Sequence, residues 1–379
     1  MKPARRLKVA LEASAVVGER TGIGEFVVAT AEALAKDPTI ELSAFVISWR
    51  GRDRFRQELP SGISTRQRPM PARPLHFIWE RSTFPPLELF IGKPDIVHGM
   101  NAVLPPRWWS RGILTVHDVA PISHPELCQP NFMPWEKLVR RAIKQGAYVH
   151  TPSNFVRNEV IATFDIDPAK VHAIPLGIPT ARTPSNATGP EALDRRDADL
   201  GSYVLALGTI QPRKDYVNLL KAFDVVAASD GRVRLVIAGS KGWGYEEFES
   251  TLATLKHRER VTYLGYVSEQ RRLSLLRNAT VLAYPSVYEG FGLPPLEAMA
   301  EGVPVVSTSV GSIPEVAGDA AALVPPRDPA SLAEAISRLL SDEEARAVMS
   351  AKGLERVKMY NWTATASALS SLYAQIAAD

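Results

Sequence analysis

The chain has 379 residues, 45% of them hydrophobic and 22% charged, which is the balance of a globular protein and too much chain for one ordinary core. A net charge of +3 excludes the strongly basic surface of a general nucleic-acid binder. The single cysteine, Cys128, excludes an internal disulfide framework or a cysteine-based metal site and fits a reducing, cytoplasmic location.

Charge is uneven along the chain. Residues 1–180 carry 23 Lys and Arg against 17 Asp and Glu, whereas the rest carries 21 against 24. A basic first half fits an anionic acceptor or a peripheral contact with a membrane, and equally an ordinary scatter of surface charge. Lys2, Arg5 and Arg6 precede an apolar run, but Lys8 and Glu12 interrupt it, so residues 7–11 read as a strand rather than a signal peptide. No apolar run approaches the ~20 residues needed to cross a bilayer.

From that first strand onward, short apolar runs alternate with amphipathic stretches. Residues 26–35 have apolar positions at helical spacing. Residues 42–48, 96–98, 113–116, 148–150 and 171–174 read as strands, and residues 154–164 as a helix capped by Ser153 or Asn154. Residues 180–202 are rich in Pro, Ser, Gly, Asp and Arg with little periodicity, and the inter-domain linker is drawn at 183–202. The alternation resumes in strands at 203–207, 233–238, 261–264, 280–283 and 303–307, and residues 361–376 read as a final helix. The fold class is therefore α/β: two doubly wound, Rossmann-like domains, 1–182 and 203–360, facing each other across a cleft where ligands bind at the carboxyl ends of the strands.

Four features carry chemistry. In the stretch YEGFGLPPLEAMA, Glu289, Gly290, Phe291 and Gly292 form a loop between a strand and a helix starting at Leu293, with Glu297 eight residues after Glu289. Glycines admit close backbone approach to a ligand, a helix N-terminus suits a phosphate, and a carboxylate there can accept hydrogen bonds from ribose hydroxyls. Spacing alone would also allow both glutamates merely to complement the helix dipole. In GTIQPRKDYVNL, Gly208 leads to Arg213 and Lys214 before a helix starting near Tyr216, and adjacent cations there suit a diphosphate leaving group as well as a solvated surface pair. Gly22 and Gly24 in TGIGE suggest a nucleotide loop or a simple tight turn. His117 and Asp118 directly follow an apolar strand, where a histidine can be catalytic or structural.

Taken together, these residues resemble the retaining glycosyltransferase family 4, with the two-domain GT-B fold, over nearly the whole chain. The E-x7-E motif from Glu289 to Glu297 carries the likeness most specifically. TPSNFVRNEV, the PLGI at residues 175–178 and the VGSIPEV at 310–316 support it. The resemblance implies that Glu297 binds the donor ribose and that Glu289 lies against the donor sugar. It implies that Arg213 and Lys214 hold the diphosphate, that Gly22 and Gly24 form the N-terminal glycine loop, and that His117 lies near the transferred sugar. It further implies that the helix at 361–379 packs back on the first domain.

Three departures stand out. Thr209 occupies a position where many relatives have Arg, with Arg213 taking its role. Glu25 replaces another frequent Arg. Asp197-Ala198-Asp199 has the form of a metal-binding D-x-D but lacks strand context, and reads as solvated charge.

The activity implied is a metal-independent, retaining hexosyltransferase without a cofactor. Its co-substrate is a nucleotide sugar, GDP-mannose first and a UDP-hexose second, and its acceptor a glycan or lipid-linked saccharide. The alternatives are an epimerase or hydrolase of nucleotide sugars on the same fold, or a non-catalytic nucleotide-sugar-binding partner protein. For the acceptor, Arg50, Arg52, Arg54, Arg56, Arg66, Arg68 and Arg73 supply positive charge, and Phe77, Trp79, Trp108 and Trp109 aromatic surface; a charged loop beside a core aromatic cluster is the plainer reading.

Overall fold

A computed structural model describes residues 5–17, 22–49, 52–65, 67–129, 135–178 and 200–379, with backbone alone at 52–54. The chain forms two compact units, one of Met1–Ile122, Asn131–Gly177 and Tyr360–Asp379, the other of Ser123–Pro130 and Ile178–Met359.

In the first unit the apolar runs become six parallel strands: β1 (Leu7–Glu12), β2 (Ile40–Phe45), β3 (Ile96–Gly99), β4 (Arg111–Thr115), β5 (Tyr148–Thr151) and β6 (Val171–Ala173). Their order is β2-β1-β3-β4-β5-β6. β3 and β5 are buried at three or more of their four residues, as expected of strands covered on both faces. Ser153 caps the helix Asn154–Phe164, its side chain accepting from the Val156 N–H. Of the four aromatics noted for the acceptor, Trp79 follows the plainer core reading: it is buried among Phe45, Leu75, Leu87 and Leu104, with its Nε1–H donating to the Pro85 carbonyl at 2.9 Å. Leu75 and Trp79 share one face of the Ala72–Trp79 helix, and the core takes that face.

The final helix, Trp362–Ala378, belongs to this first unit and packs on the helix Gly22–Leu34. Asn361 caps it, and the Thr365 hydroxyl donates to the Pro175 carbonyl at 2.8 Å. Gly177 lies so close beneath Trp362 that a Cβ would come within 2.4 Å of its backbone nitrogen.

A buried hydrogen-bond chain joins this helix to the sheet. Tyr373 Oη lies 2.7 Å from His98 Nδ1, His98 Nε2 lies 2.8 Å from Thr115 Oγ1, and Thr115 Oγ1 lies 2.9 Å from His150 Nδ1. His150 Nε2 then lies 2.9 Å from the Ile174 carbonyl. That carbonyl can only accept, so His150 carries its proton on Nε2. Every earlier proton follows: Thr115 donates to His150, His98 to Thr115, and Tyr373 to His98. Burial pushes the His98 imidazole well down and that of His150 to about 4, so both remain neutral.

The second unit repeats the architecture with β7 (Tyr203–Leu207), β8 (Arg234–Ala238), β9 (Val261–Tyr263), β10 (Val281–Tyr284), β11 (Val305–Thr308) and β12 (Ala321–Val324). All are parallel, in the order β12-β11-β10-β7-β8-β9. The helix Tyr216–Ser229 follows β7 and buries Leu219, Leu220, Phe223 and Val226 against the sheet. No helix among the described residues is long and apolar enough to cross a membrane.

Candidate active site

The second unit gathers its chemistry where β7 and β10 end. β7 runs into Gly208, whose φ of +133° suits glycine, and the Gly208 carbonyl accepts from the Tyr216 hydroxyl at 2.9 Å. At neighbouring Gly239, a Cβ would stand 1.9 Å from the Gly208 oxygen, so the two strand ends approach as only glycine allows. The chain then makes a single turn, Pro212–Lys214, which carries both cations. The Val287 N–H donates to the Arg213 carbonyl at 2.9 Å, tying that turn to the loop after β10.

Arg213 and Lys214 both meet Glu289. Arg213 Nη1 lies 3.1 Å from Glu289 Oε2 and 3.2 Å from the Tyr288 carbonyl, and Lys214 Nζ lies 2.6 Å from Glu289 Oε1. Lys214 Nζ also hydrogen-bonds the Tyr284 hydroxyl and stands 4.4 Å from the centroid of that ring. Glu289 is only 5% exposed. Burial alone would raise its pKa, but the charges of Arg213 and Lys214 prevail and hold it at about 2. Burial and the neighbouring Glu289 charge push the Tyr284 hydroxyl well above its usual range. One buried carboxylate thus faces two largely buried cations, leaving net positive charge.

Glu289 is held from behind by the VGSIPEV segment. The Glu289 carbonyl accepts from both the backbone N–H and the hydroxyl of Ser312, each at 3.0 Å. Gly311 adopts φ +57°, and a Cβ there would fall 2.4 Å from the same carbonyl oxygen. The sequence reading assigned no role to this clamp. Gly290 and Phe291 lie in the loop, Phe291 being buried, and Gly292 caps the Leu293–Ala300 helix at φ +98°.

One expectation is corrected here. That helix was expected to offer free N–H donors to a phosphate, but Pro294 and Pro295 occupy its first turn and have none. Its dipole remains, and Gly292 and Leu293 keep backbone N–H groups at its start. Glu297, one turn into the helix, forms an ion pair with Arg272, which sequence reading had not singled out.

In the first unit, Gly22 and Gly24 form the opening turn of a helix rather than a loop before it. A Cβ at Gly24 would stand 2.9 Å from the Ala15 carbonyl oxygen, whereas Gly22 faces open space. Glu25 is exposed on that turn. His117 follows β4, and its Nε2 lies 3.0 Å from the Met100 carbonyl, which fixes the proton there and leaves Nδ1 as an acceptor. Burial lowers its pKa, and Phe26 packs edge-on against it at 5.0 Å between centroids. Glu12, read from sequence only as a polar break, is buried at the carboxyl end of β1, where desolvation raises its pKa to about 7. Its Oε1 accepts from the Ser14 N–H at 2.8 Å.

Asp197, Asp199, Arg50 and Arg66 lie outside the described residues, as do the side chains of Arg52 and Arg54. Among the described residues no group of three or more His, Cys, Asp or Glu side chains is placed to hold a metal ion. Arg56, Arg68 and Arg73 are exposed.

Residues 20–182 match the family model "Glycosyltransferase Family 4" and residues 197–356 match "Glycosyl transferases group 1". O-antigen chain mannosyltransferase B of Escherichia coli is 32% identical over 273 residues, spanning 71% of this chain and 71% of that protein. A D-inositol 3-phosphate glycosyltransferase of Corynebacterium efficiens is 30% identical, over 57% of this chain and 54% of the relative. O-antigen chain mannosyltransferase RfbU of Salmonella typhimurium is 27% identical, over 60% of each. Among solved structures, sucrose-phosphate synthase of Thermosynechococcus elongatus aligns with a TM-score of 0.73 at 22% identity, covering 98% of this chain and 100% of that one. Anabaena HepE in complex with UDP-glucose aligns with a TM-score of 0.73 at 15% identity, covering 98% and 100%. The structural likeness shows the GT-B fold.

Proposed function

The chain belongs to glycosyltransferase family 4, and from that premise we propose that it is a retaining, metal-independent hexosyltransferase using a nucleotide sugar, with GDP-mannose the favoured donor. The observation that carries the reading is the pocket in which Arg213 and Lys214 converge on buried Glu289. Two O-antigen mannosyltransferases among the relatives support mannose, and a glycan or lipid-linked saccharide as acceptor.

In this reading the second unit binds the donor. Arg213 and Lys214, arriving in fixed orientation, bind the diphosphate and stabilise the charge that grows on it as it leaves. The loop glycines 290 and 292 let its oxygens approach the backbone, and Glu297 receives the ribose hydroxyls. Glu289 lies against the donor sugar and favours the positive charge developing at the anomeric carbon. In the first unit, His117 keeps Nδ1 as an acceptor that suits a sugar hydroxyl. The acceptor oxygen forms its bond to the anomeric carbon on the face from which the phosphate departs. The carbon–oxygen bond to the diphosphate breaks, and a departing phosphate oxygen takes the acceptor's proton. No protein nucleophile is then required.

The test is incubation of the chain with GDP-mannose or UDP-glucose and short mannoside acceptors in EDTA, with NMR of the product. An α-linked mannoside formed from GDP-mannose supports the proposal. A β-linked product contradicts retention, and free mannose with every acceptor points to the hydrolase alternative.

A further inference from the structure

The first unit carries an aromatic and basic surface that the proposed reaction does not use. Trp108 and Trp109 are 54% and 56% exposed, Phe77 62% and Phe84 57%. Three of them are contiguous: Trp108 and Trp109 ring centroids lie 5.6 Å apart and Phe84 and Trp108 6.2 Å apart. Phe77, on the helix that leads into the Phe84 segment, carries Arg81, whose guanidinium stands 4.1 Å above its ring and donates to its carbonyl at 3.1 Å. Lys93 stands 4.6 Å from the Trp109 centroid.

The fold holds these side chains outward. Glu88 is buried, and its Oε1 accepts from the N–H groups of Trp108, Trp109 and Ser110 at 3.0, 3.0 and 3.1 Å. A buried carboxylate thus clamps the turn that presents two tryptophans to water. The helix Ala72–Trp79 sends Leu75 and Trp79 into the core and leaves Phe77 and Ile78 outside. Exposing several large apolar side chains together costs free energy in water and marks a surface that meets something apolar.

Position separates this patch from an acceptor subsite. Trp108 and Trp109 stand before β4 begins, whereas His117 follows its end. Five strand residues put about 17 Å between the two edges. Ligands of open α/β sheets bind at the carboxyl edge, and the patch lies at the amino edge.

Charge selects the occupant. Arg81 and Lys93 stand against the Phe77 and Trp109 rings, and Arg73 and Arg111, near those residues in sequence, are also exposed. Nearby acids are engaged: Glu80 with Arg81 at 3.3 Å, Asp95 with Arg5 at 2.6 Å, and Glu88 with the backbone N–H groups. Two copies of this surface would repel each other. Aromatic rings at headgroup depth with cations beside them match an anionic lipid bilayer. We propose that Phe77, Phe84, Trp108 and Trp109, with Arg81 and Lys93, dock this chain on an anionic membrane surface.

Flotation of the full chain with vesicles of phosphatidylcholine, alone or mixed with phosphatidylglycerol, tests this. Binding to the mixed vesicles, weakened by salt and absent from the neutral ones, is expected. Arg81→Gln and Lys93→Gln should each lower the partition coefficient about fivefold, and Trp108→Ser/Trp109→Ser more than tenfold, at unchanged nucleotide affinity. Lys93→Gln alters only an exposed side chain, so its loss of binding reports docking rather than unfolding. Failure to float with mixed vesicles, equal binding by the variants, or a dimer in sedimentation velocity that the tryptophan variant dissolves would each overturn the proposal.

Discussion

Glu289 and Lys214, 75 residues apart in sequence, meet at 2.6 Å in a pocket where the carboxylate is held at about pKa 2. On the proposed reaction, the carboxylate orients the cations before the diphosphate arrives, and it limits how strongly they hold it. Replacing Glu289 by Gln would then free positive charge for the ground-state diphosphate and remove negative charge beside the anomeric carbon. The expected result is equal or tighter nucleoside diphosphate binding with kcat lowered about 100- to 1000-fold. Steady-state kinetics read beside nucleotide titration check this, and weaker binding at unchanged kcat would reverse the assignment.

Gly311→Ala should damage the same pocket without touching its charges. The added methyl meets the Glu289 carbonyl oxygen, and φ +57° strains any side chain there. A loss of about 1–3 kcal/mol in urea unfolding is expected, with weakened nucleotide binding. Gly231→Ala, facing open space, serves as the comparison and should leave both nearly unchanged.

Stability should fall steeply on mild acidification. His98, His117 and His150 are buried with pKa values below the ordinary 6.5, so the unfolded chain takes up protons first and stability drops as pH falls below 6.5. For His150 the loss continues to about pH 4. Glu12 works oppositely: with a folded pKa of about 7 its contribution is present below 4.5 and fades as pH rises through 7. Three histidines less one glutamate give at most about 3 kcal/mol per pH unit between 4.5 and 6.5. Urea titrations at closely spaced pH values measure the slope, and a flat profile would show that the histidines are not held neutral.

Tyr373→Phe removes the first donor of the buried chain and strands the Nδ1 lone pair of His98. A cost of about 1–3 kcal/mol is expected. Hydrogen exchange should show faster opening of the Trp362–Ala378 helix, since Tyr373 is the link from that helix into the histidine chain.

Much of the fold was legible because buried parallel strands are nearly continuous apolar runs, and Tyr203–Leu207 appears at its observed bounds. Ala321–Val324 escaped because it is short, and half of its residues are only partly buried. The site was legible as residue types and less so as geometry. Arg213, Lys214 and Glu289 could be singled out, but a contact across 75 residues depends on how β7 and β10 are placed in the sheet. For Trp79 the sequence leaves core and surface both open, because the Ala72–Trp79 helix is apolar on two faces and only packing decides which turns inward. Pro294 and Pro295 were plainly visible in the sequence, and the donors they remove could have been discounted there.

The most direct test of the donor assignment is calorimetric titration of the chain with GDP-mannose in EDTA, beside the Lys214→Ala variant. The expectation is saturable, metal-independent binding by the wild type and binding at least tenfold weaker in the variant, with both chains folded by circular dichroism. GDP-mannose binding that survives Lys214→Ala unchanged, or that appears only when Mg²⁺ replaces EDTA, would contradict the reading of this pocket as a metal-independent diphosphate site.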